Sequence, residues 1–122
     1  MDLDAALRTA DDFFAEYARD LLARDAHAIA ARYAVPGLIL FPGQSLAVAS
    51  QEQTADFFTG AFVQYEGVHD SAATISVVAA TGHSIWADVT WTHDTGATER
   101  FVYQLVDTGD GWRIAVLTPI VD

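Results

Sequence analysis

The side chains best suited to proton transfer, Asp88 and His93, lie five positions apart on one predicted strand. Because strand side chains alternate between faces, this spacing places them on opposite faces, and they form no acid–base pair unless a bulge intervenes. His93 shares its face with Val89 and Trp91. If that face is concave, His93 is the best candidate general base, since histidine titrates near neutrality. Its position beside the turn that begins at Asp94 favours an exposed surface residue instead.

The chain lacks the residue patterns of several common sites. It has no cysteine, which excludes disulfides, thiolate chemistry and Cys-based metal sites. No His-Glu-x-x-His pattern, phosphate-binding glycine loop or Gly-x-Ser-x-Gly elbow occurs. Arg100 or Arg113 can meet a ligand carboxylate, although pairing with one of the 17 acidic residues is the simpler interpretation. The sequence predicts no metal and no cofactor.

Composition and charge limit the class of protein. The chain has 122 residues, of which 52% are hydrophobic, so we expect a single domain over residues 1–122. A net charge of -11 disfavours nucleic acid and anionic membranes as partners. The acidic start does not resemble a signal peptide, and no stretch reaches the ~20 apolar residues of a membrane span. We therefore expect a cytoplasmic protein.

The N-terminal half is predicted to be mainly helical. Apolar residues recur at helical spacing from Leu3 to Leu21, which predicts a first helix that ends near Arg24. Asp25 can cap a short second helix that ends before Pro36. A hairpin is predicted from Leu38 to Ala49, and the Ser-Gln-Glu-Gln stretch at 50–53 has the form of a capping box for a third helix.

The C-terminal half is predicted to consist of strands. After Gly67, four segments rich in Val, Thr, Ile and aromatics are separated by short turns: Val68 to Ala80, His83 to Asp94, Ala97 to Asp107 and Trp112 to Pro119. Short connections favour an antiparallel meander. The predicted class is α+β: a cone formed by a curved antiparallel sheet, four long meander strands plus a short hairpin, packed on three helices.

The last two strands carry apolar residues on both faces. A tight turn between them predicts that Leu105 pairs with Ile114 and Tyr103 with Val116. The opposite face is also partly apolar: Val102, Val106, Ala115 and Leu117. A half-exposed sheet is usually more polar on its outer face. We therefore expect helices on one face and a second copy of the chain on part of the other, which is a homodimer through the sheet face.

The order of elements, ending in Gly111-Trp112-Arg113-Ile114, resembles the nuclear transport factor 2-like superfamily. The resemblance implies a cystatin-like cone with a cavity between helices and sheet, and usually a dimer. Residues 14–43 are most similar to the ketosteroid isomerase branch. Its tyrosine, acidic turn, aromatic-alanine pair and Asp-Pro dipeptide correspond without a gap to Tyr17, Arg24-Asp25, Tyr33-Ala34 and Phe41-Pro42.

That resemblance argues against steroid isomerase chemistry. It implies that Tyr17 corresponds to the oxyanion-binding tyrosine, whereas Phe41 occupies the position of the proton-moving aspartate. A phenyl ring cannot accept a proton from carbon. The second acidic position should fall near Val102, Tyr103 or Gln104, and none is an acid. Two of three functional positions are therefore absent.

Aromatic residues form the stronger signal, because the cone would gather them in one region. They predict an apolar pocket for a small hydrophobic ligand, unless the rings fill the cone completely. Tyr17 can donate a hydrogen bond to a ligand carbonyl or serve as a core residue. The predicted ligand-binding residues are Tyr17, Tyr33, Phe41, Phe58, Phe62, Trp91, Tyr103 and Val116.

Three functions remain open from the sequence. The first is a dimeric, non-catalytic domain that binds a small, mostly apolar molecule. The second is an enzyme of the cyclase, isomerase or dehydratase type that uses Tyr17 with Asp88 or His93. The third is a protein-interaction module that is monomeric in isolation and exposes Trp86 or Trp91 on the outer face.

Overall fold

The computed structural model describes residues 1–121 and has the element order that the sequence predicts. The helices are α1 (Leu3–Leu22), α2 (Ala26–Ala31) and α3 (Gln51–Ala61), with a 3₁₀ segment (Phe62–Tyr65) after the last. The strands are β1 (Tyr33–Phe41), β2 (Gln44–Val48), β3 (Ser71–Ala80), β4 (Ser84–His93), β5 (Thr98–Asp107) and β6 (Trp112–Pro119). The predicted α+β class is confirmed.

Local side-chain chemistry fixes where the helices begin. The Asp2 carboxylate accepts a hydrogen bond from the amide of Ala5 at the start of α1, and Asp25 caps α2 in the same way. The predicted capping box of α3 is present: Ser50 accepts from the Gln53 amide, and the Gln53 side chain accepts from the Ser50 amide. Each cap satisfies amide groups that have no partner inside the helix. One face of α1 is buried: Ala6, Ala10, Phe13, Phe14 and Tyr17.

The six strands form one curved, mixed sheet in the order β2-β1-β6-β5-β4-β3. The predicted hairpin (β1–β2) and meander (β3 to β6) are both antiparallel. They are joined by parallel pairing of β1 with β6, which the sequence pattern did not predict. Strand β6 is thereby placed inside the sheet, and β2 and β3 form its two edges.

A bulge in β6 corrects one predicted register. Leu105 pairs with Ile114 as predicted, but Tyr103 pairs with Leu117 and not with Val116. The register shifts between Gln104 and Leu105, which leaves Ala115 as an extra residue on β6. The alternation is therefore reversed beyond the bulge. Leu117 is only 2% exposed in the core, although the sequence pattern placed it on the outer face.

The two faces of the sheet differ in burial, as two adjacent rows of paired residues across β1, β6, β5 and β4 show. The inner row is buried against the helices and consists of Ile39, Leu117, Tyr103 and Ala87. The outer row is partly or fully exposed and consists of Leu38, Val116, Gln104 and Trp86. The helices thus cover one face only. Within residues 1–121, no helix is both long and apolar enough to cross a membrane.

Candidate functional site

A small cavity lies between the inner face of the sheet and the helical layer. Its volume is about 60 Å³. The helical side contributes Tyr17, Ala18, Leu21, Leu22, Arg24, Phe58, Phe62, Tyr65 and Val68. The sheet contributes Phe41, Ser71, Trp91, His93, Glu99, Phe101, Tyr103 and Leu117. Aromatic residues make about half of the wall, and the polar groups lie on a few side chains among them.

Most of the predicted ligand-binding residues line this cavity. Six of the eight are in its wall: Tyr17, Phe41, Phe58, Phe62, Trp91 and Tyr103. Tyr33 is buried next to the cavity and contacts Tyr17, but does not line it. Val116 faces away, because the bulge at Ala115 gives the inward position to Leu117. Trp91 is 3% exposed, which excludes it as an exposed docking residue.

Buried phenol groups supply hydrogen-bond donors to this apolar space. The hydroxyls of Tyr17 and Tyr33 are 2.6 Å apart, and Trp91 Nε1 donates to the Tyr103 hydroxyl at 3.0 Å. Burial raises the pKa of Tyr17, Tyr33 and Tyr103 well above the ordinary value of tyrosine. All three phenols therefore stay neutral at physiological pH and keep their protons for donation.

The Tyr103 hydroxyl can still donate a hydrogen bond. Among residues 1–121 its one hydrogen-bond partner is Trp91, which is a donor, so the hydroxyl acts there as acceptor. In the Tyr17–Tyr33 pair one proton is shared and the other is not used. The Tyr17 and Tyr103 rings are adjacent, with centroids 6.3 Å apart. Together they can hold an acceptor such as a carbonyl oxygen.

His93 lies in the cavity wall and is hydrogen-bonded through both ring nitrogens. Its Nε2 is 2.8 Å from Glu99 Oε1, and its Nδ1 is 2.7 Å from Ser71 Oγ. The second Glu99 oxygen accepts from the Tyr65 hydroxyl at 3.1 Å. A carboxylate can only accept, so Nε2 carries a proton toward Glu99; whenever the ring is neutral, Nδ1 is the acceptor for the Ser71 hydroxyl. The side chain is 8% exposed, so the prediction of a surface histidine is wrong.

The other predicted base, Asp88, lies on the opposite face of the sheet. The Arg100 guanidinium binds it through two hydrogen bonds, of 2.9 and 2.6 Å. These hydrogen bonds from Arg100 lower the pKa of Asp88 below its ordinary value. Asp88 does not line the cavity, and the expected separation of Asp88 from His93 is observed. Asp88 therefore cannot act on a ligand in the cavity.

Sequence reasoning missed Glu99 and Ser71. Glu99 lies two residues before Phe101, so the alternation that placed Phe101 and Tyr103 inside also places Glu99 inside. That signal was available in the sequence. Ser71 gave no such signal, because it meets His93 only through the register of β3 on β4. Burial and the neighbouring Glu99 carboxylate also raise the pKa of Tyr65, so its hydroxyl remains a donor.

Comparisons with known proteins agree with this architecture. A family profile described as "NTF2-like protein (DUF6841)" matches residues 7–120. No curated protein matches the chain. A domain of unknown function with a cystatin-like fold from Nostoc punctiforme has a TM-score of 0.74 at 15% identity, over 97% of this chain and 79% of that one.

Two further solved structures share the fold. A ketosteroid isomerase-like protein from Erwinia carotovora atroseptica has a TM-score of 0.67 at 21% identity, over 95% of this chain and 97% of that one. The protein Aln2 from a Streptomyces species has a TM-score of 0.71 at 18% identity, over 93% of this chain and 88% of that one. At these identities the similarity shows the fold alone.

Proposed function

This chain belongs to the NTF2-like protein family (DUF6841), and we propose that its cavity binds one small, largely apolar molecule that carries a hydrogen-bond acceptor. The observation that carries the proposal is the Tyr103 hydroxyl, whose proton has no acceptor among residues 1–121. An unused donor in an aromatic cavity lowers the free energy of binding for a ligand with a carbonyl or ether oxygen. When Tyr33 is the donor in the Tyr17–Tyr33 hydrogen bond, the neighbouring Tyr17 hydroxyl provides a second donor.

The size of the cavity sets a condition on the ligand. A volume of about 60 Å³ is below the ~300 Å³ at which small-molecule sites usually begin. The rings of Phe41 and Phe62 line the cavity and are only partly buried, whereas Tyr17 and Tyr103 are fully buried. We therefore expect a ligand of six or so heavy atoms, estimated roughly from this volume, to enter by displacing Phe41 and Phe62. The floor of the cavity stays fixed.

We expect the protein to bind cyclohexanone more tightly than methylenecyclohexane, which has the same shape and no oxygen. Tyr103→Phe should weaken cyclohexanone binding about 2- to 10-fold, the effect of one hydrogen bond, and leave methylenecyclohexane unchanged. Titrations followed by NMR chemical shifts of the cavity aromatics measure both constants. The proposal fails if neither compound binds, or if the variant weakens both compounds equally.

Acid–base chemistry on the bound ligand is a second candidate, favoured by the hydrogen-bonded pair of His93 and Glu99 in the cavity wall. Both nitrogens of His93 are engaged, so a ligand proton reaches Nδ1 only when the Ser71 hydroxyl turns away or relays it. In the same cyclohexanone samples, solvent deuterium should exchange into the α-positions. His93→Ala should slow this exchange about 10²- to 10⁴-fold without loss of binding. Exchange at the buffer rate in wild type would leave binding as the only function of the cavity.

The outer face of the sheet supports the proposal of a homodimer. The outer row of residues on this face is apolar except for Gln104, and Leu38 at the end of the row is 42% exposed. An apolar row of this kind on the uncovered face of a sheet is typical of a surface buried by a partner. A second copy presents the same row and is the simplest partner.

Light scattering after size exclusion should give twice the chain mass of 13.2 kDa. Val116→Glu introduces a charge in the centre of the row and should convert the dimer to a monomer. Val63→Glu is the matched control, because Val63 is 66% exposed on the 3₁₀ segment, away from the sheet. A monomeric wild type, or dissociation by both variants, would contradict a dimer through the sheet face.

A further inference from the structure

A second and larger opening, the α1–β3 cleft, lies between helix α1 and edge strand β3. Its volume is about 340 Å³, within the range of roughly 300–1,000 Å³ that small-molecule sites occupy. Four residues line both the cleft and the cavity: Ala18, Leu22, Ser71 and Trp91. Ser71 therefore lies at the wall between the two spaces. It is partly exposed and belongs to the lining of both spaces.

The Ser71 hydroxyl has the surroundings of an activated nucleophile. Its Oγ is 2.7 Å from His93 Nδ1, and His93 Nε2 is 2.8 Å from Glu99 Oε1. Both distances lie within the roughly 2.6–3.2 Å expected for the hydrogen bond between a nucleophile and its base and for the one between that base and the acid that orients it. The Tyr65 hydroxyl donates a hydrogen bond to Glu99 Oε2, the carboxylate oxygen that does not contact His93. The His93 side chain is only 8% exposed, and both of its ring nitrogens have these partners.

We propose that Ser71 is the nucleophile of an acyl-transfer reaction on small, neutral esters that bind in the α1–β3 cleft. Ser71 Oγ attacks the ester carbonyl carbon while its proton passes to His93 Nδ1, and Glu99 stabilises the imidazolium that forms. The bond to the alcohol oxygen then breaks, and His93 returns the proton to that oxygen. Water attacks the acyl group, again losing its proton through His93, and the carboxylic acid leaves as Ser71 recovers its hydrogen.

The cleft lining selects the class of ester. Its walls are mainly apolar: Phe14, Ala15, Ala18, Leu22, Ala73, Ile75 and Trp91. These side chains suit a short aliphatic acyl group. The carboxylates of Asp11 and Asp70 line the same cleft and repel anionic substrates. Arg19 also lines it, and its 71% exposed side chain can turn its positive charge toward the oxyanion.

This activity does not depend on a ligand in the cavity, since the ester occupies the cleft. The test uses the full chain, para-nitrophenyl butyrate and an alkyl fluorophosphonate. We expect hydrolysis of the ester and one covalent phosphonyl adduct, located on Ser71 by mass spectrometry of peptides. Ser71→Ala should abolish the adduct and reduce hydrolysis to the buffer rate. His93→Ala should slow both about 10²- to 10⁴-fold.

Two further variants distinguish the proposal from a structural role. Ser76→Ala is the matched control, because Ser76 is exposed on the same strand and pairs with Asp88 on β4. It should leave labelling unchanged. Glu99→Gln should lower kcat and leave KM unaltered, as expected for a residue that positions His93.

No adduct in wild type, or hydrolysis that persists in Ser71→Ala, overturns the proposal. Methylenecyclohexane binding to the wild-type chain is measured in parallel. This compound has no ester group and takes no part in acyl transfer, so failure of the acyl transfer and failure of the cavity ligand are separate results.

Discussion

Above about pH 10 this protein is expected to lose stability steeply and to unfold in one cooperative step. The cause is a group of buried phenols, Tyr17 and Tyr103 in the cavity wall and Tyr33 next to it, which are at most 3% exposed. Burial raises the pKa of each well above its ordinary value. The neighbouring Tyr33 also raises the pKa of Tyr17, whereas the hydrogen bond between them acts in the opposite direction on Tyr33, whose pKa is raised by burial. The folded chain therefore retains three protons that the unfolded chain releases.

The direction and the size of the effect follow from those protons. Tyrosine in the unfolded chain loses its proton at about pH 10, whereas the buried phenols of the folded chain keep theirs. Above that pH the unfolded state binds fewer protons, so the free energy of unfolding falls as the pH rises. The stability from the three phenols is fully present below about pH 10. Three protons correspond to a loss of about 4 kcal/mol per pH unit, against a typical domain stability of about 5–15 kcal/mol.

The composition makes the measurement unusually clean. The chain has no lysine and no cysteine, so tyrosine is its one side chain that ordinarily titrates between about pH 9 and 12. Tyrosinate absorbance and far-ultraviolet circular dichroism should change together in an alkaline titration. Tyr103→Phe removes one proton and should reduce the slope by about 1.4 kcal/mol per pH unit. Ionisation of all four tyrosines near pH 10 with unchanged circular dichroism would contradict this account.

Arg24→Ala is expected to destabilise the protein by about 2–4 kcal/mol, because it removes four hydrogen bonds made by one side chain. Arg24 Nη1 donates to the carbonyls of Leu21 and Leu22, each at 3.2 Å, at the end of α1. Its Nη2 donates to the carbonyls of Tyr65 and Val68, at 2.6 and 3.0 Å. The guanidinium thus joins the end of α1 to the segment that leads into β3. Alanine would leave these carbonyls without their charged donor.

Two replacements at the same position separate the side chain from the backbone. Arg24 has a φ of 54°, in the left-handed region, where a β-carbon costs about 1–2 kcal/mol. Arg24→Gly should therefore be less destabilised than Arg24→Ala by roughly 1 kcal/mol. Arg24→Lys keeps the charge but cannot bridge all four carbonyls, and it should fall between wild type and alanine.

Urea denaturation followed by circular dichroism gives the three differences in free energy of unfolding. An alanine variant within about 0.5 kcal/mol of wild type, the usual range for plain surface substitutions, would show that the four hydrogen bonds add little. Equal stability of the glycine and alanine variants would show that the backbone conformation carries no strain.

The sequence by itself determined the elements and six of the aromatic residues in the cavity wall. Helix starts depend on residues within one turn of each other, so Asp25 and the pair of Ser50 and Gln53 could be assigned from spacing alone. Alternation along β4 placed His93 with Trp91 and opposite Asp88, and this is observed. These features are local, so they can be predicted from the spacing of residues along one helix or strand.

Only the tertiary structure decided which side chains meet. The bulge at Ala115 exchanged Val116 for Leu117 in the core, and the parallel pairing of β1 with β6 brought Phe41 to the cavity. Ser71 contacts His93 across 22 positions of sequence, through the register of two strands. Such contacts depend on how many elements pack together at once, and not on neighbouring residues. Periodicity therefore predicted the faces of the strands, whereas the hydrogen-bonded chain from Ser71 to Glu99 required the assembled sheet.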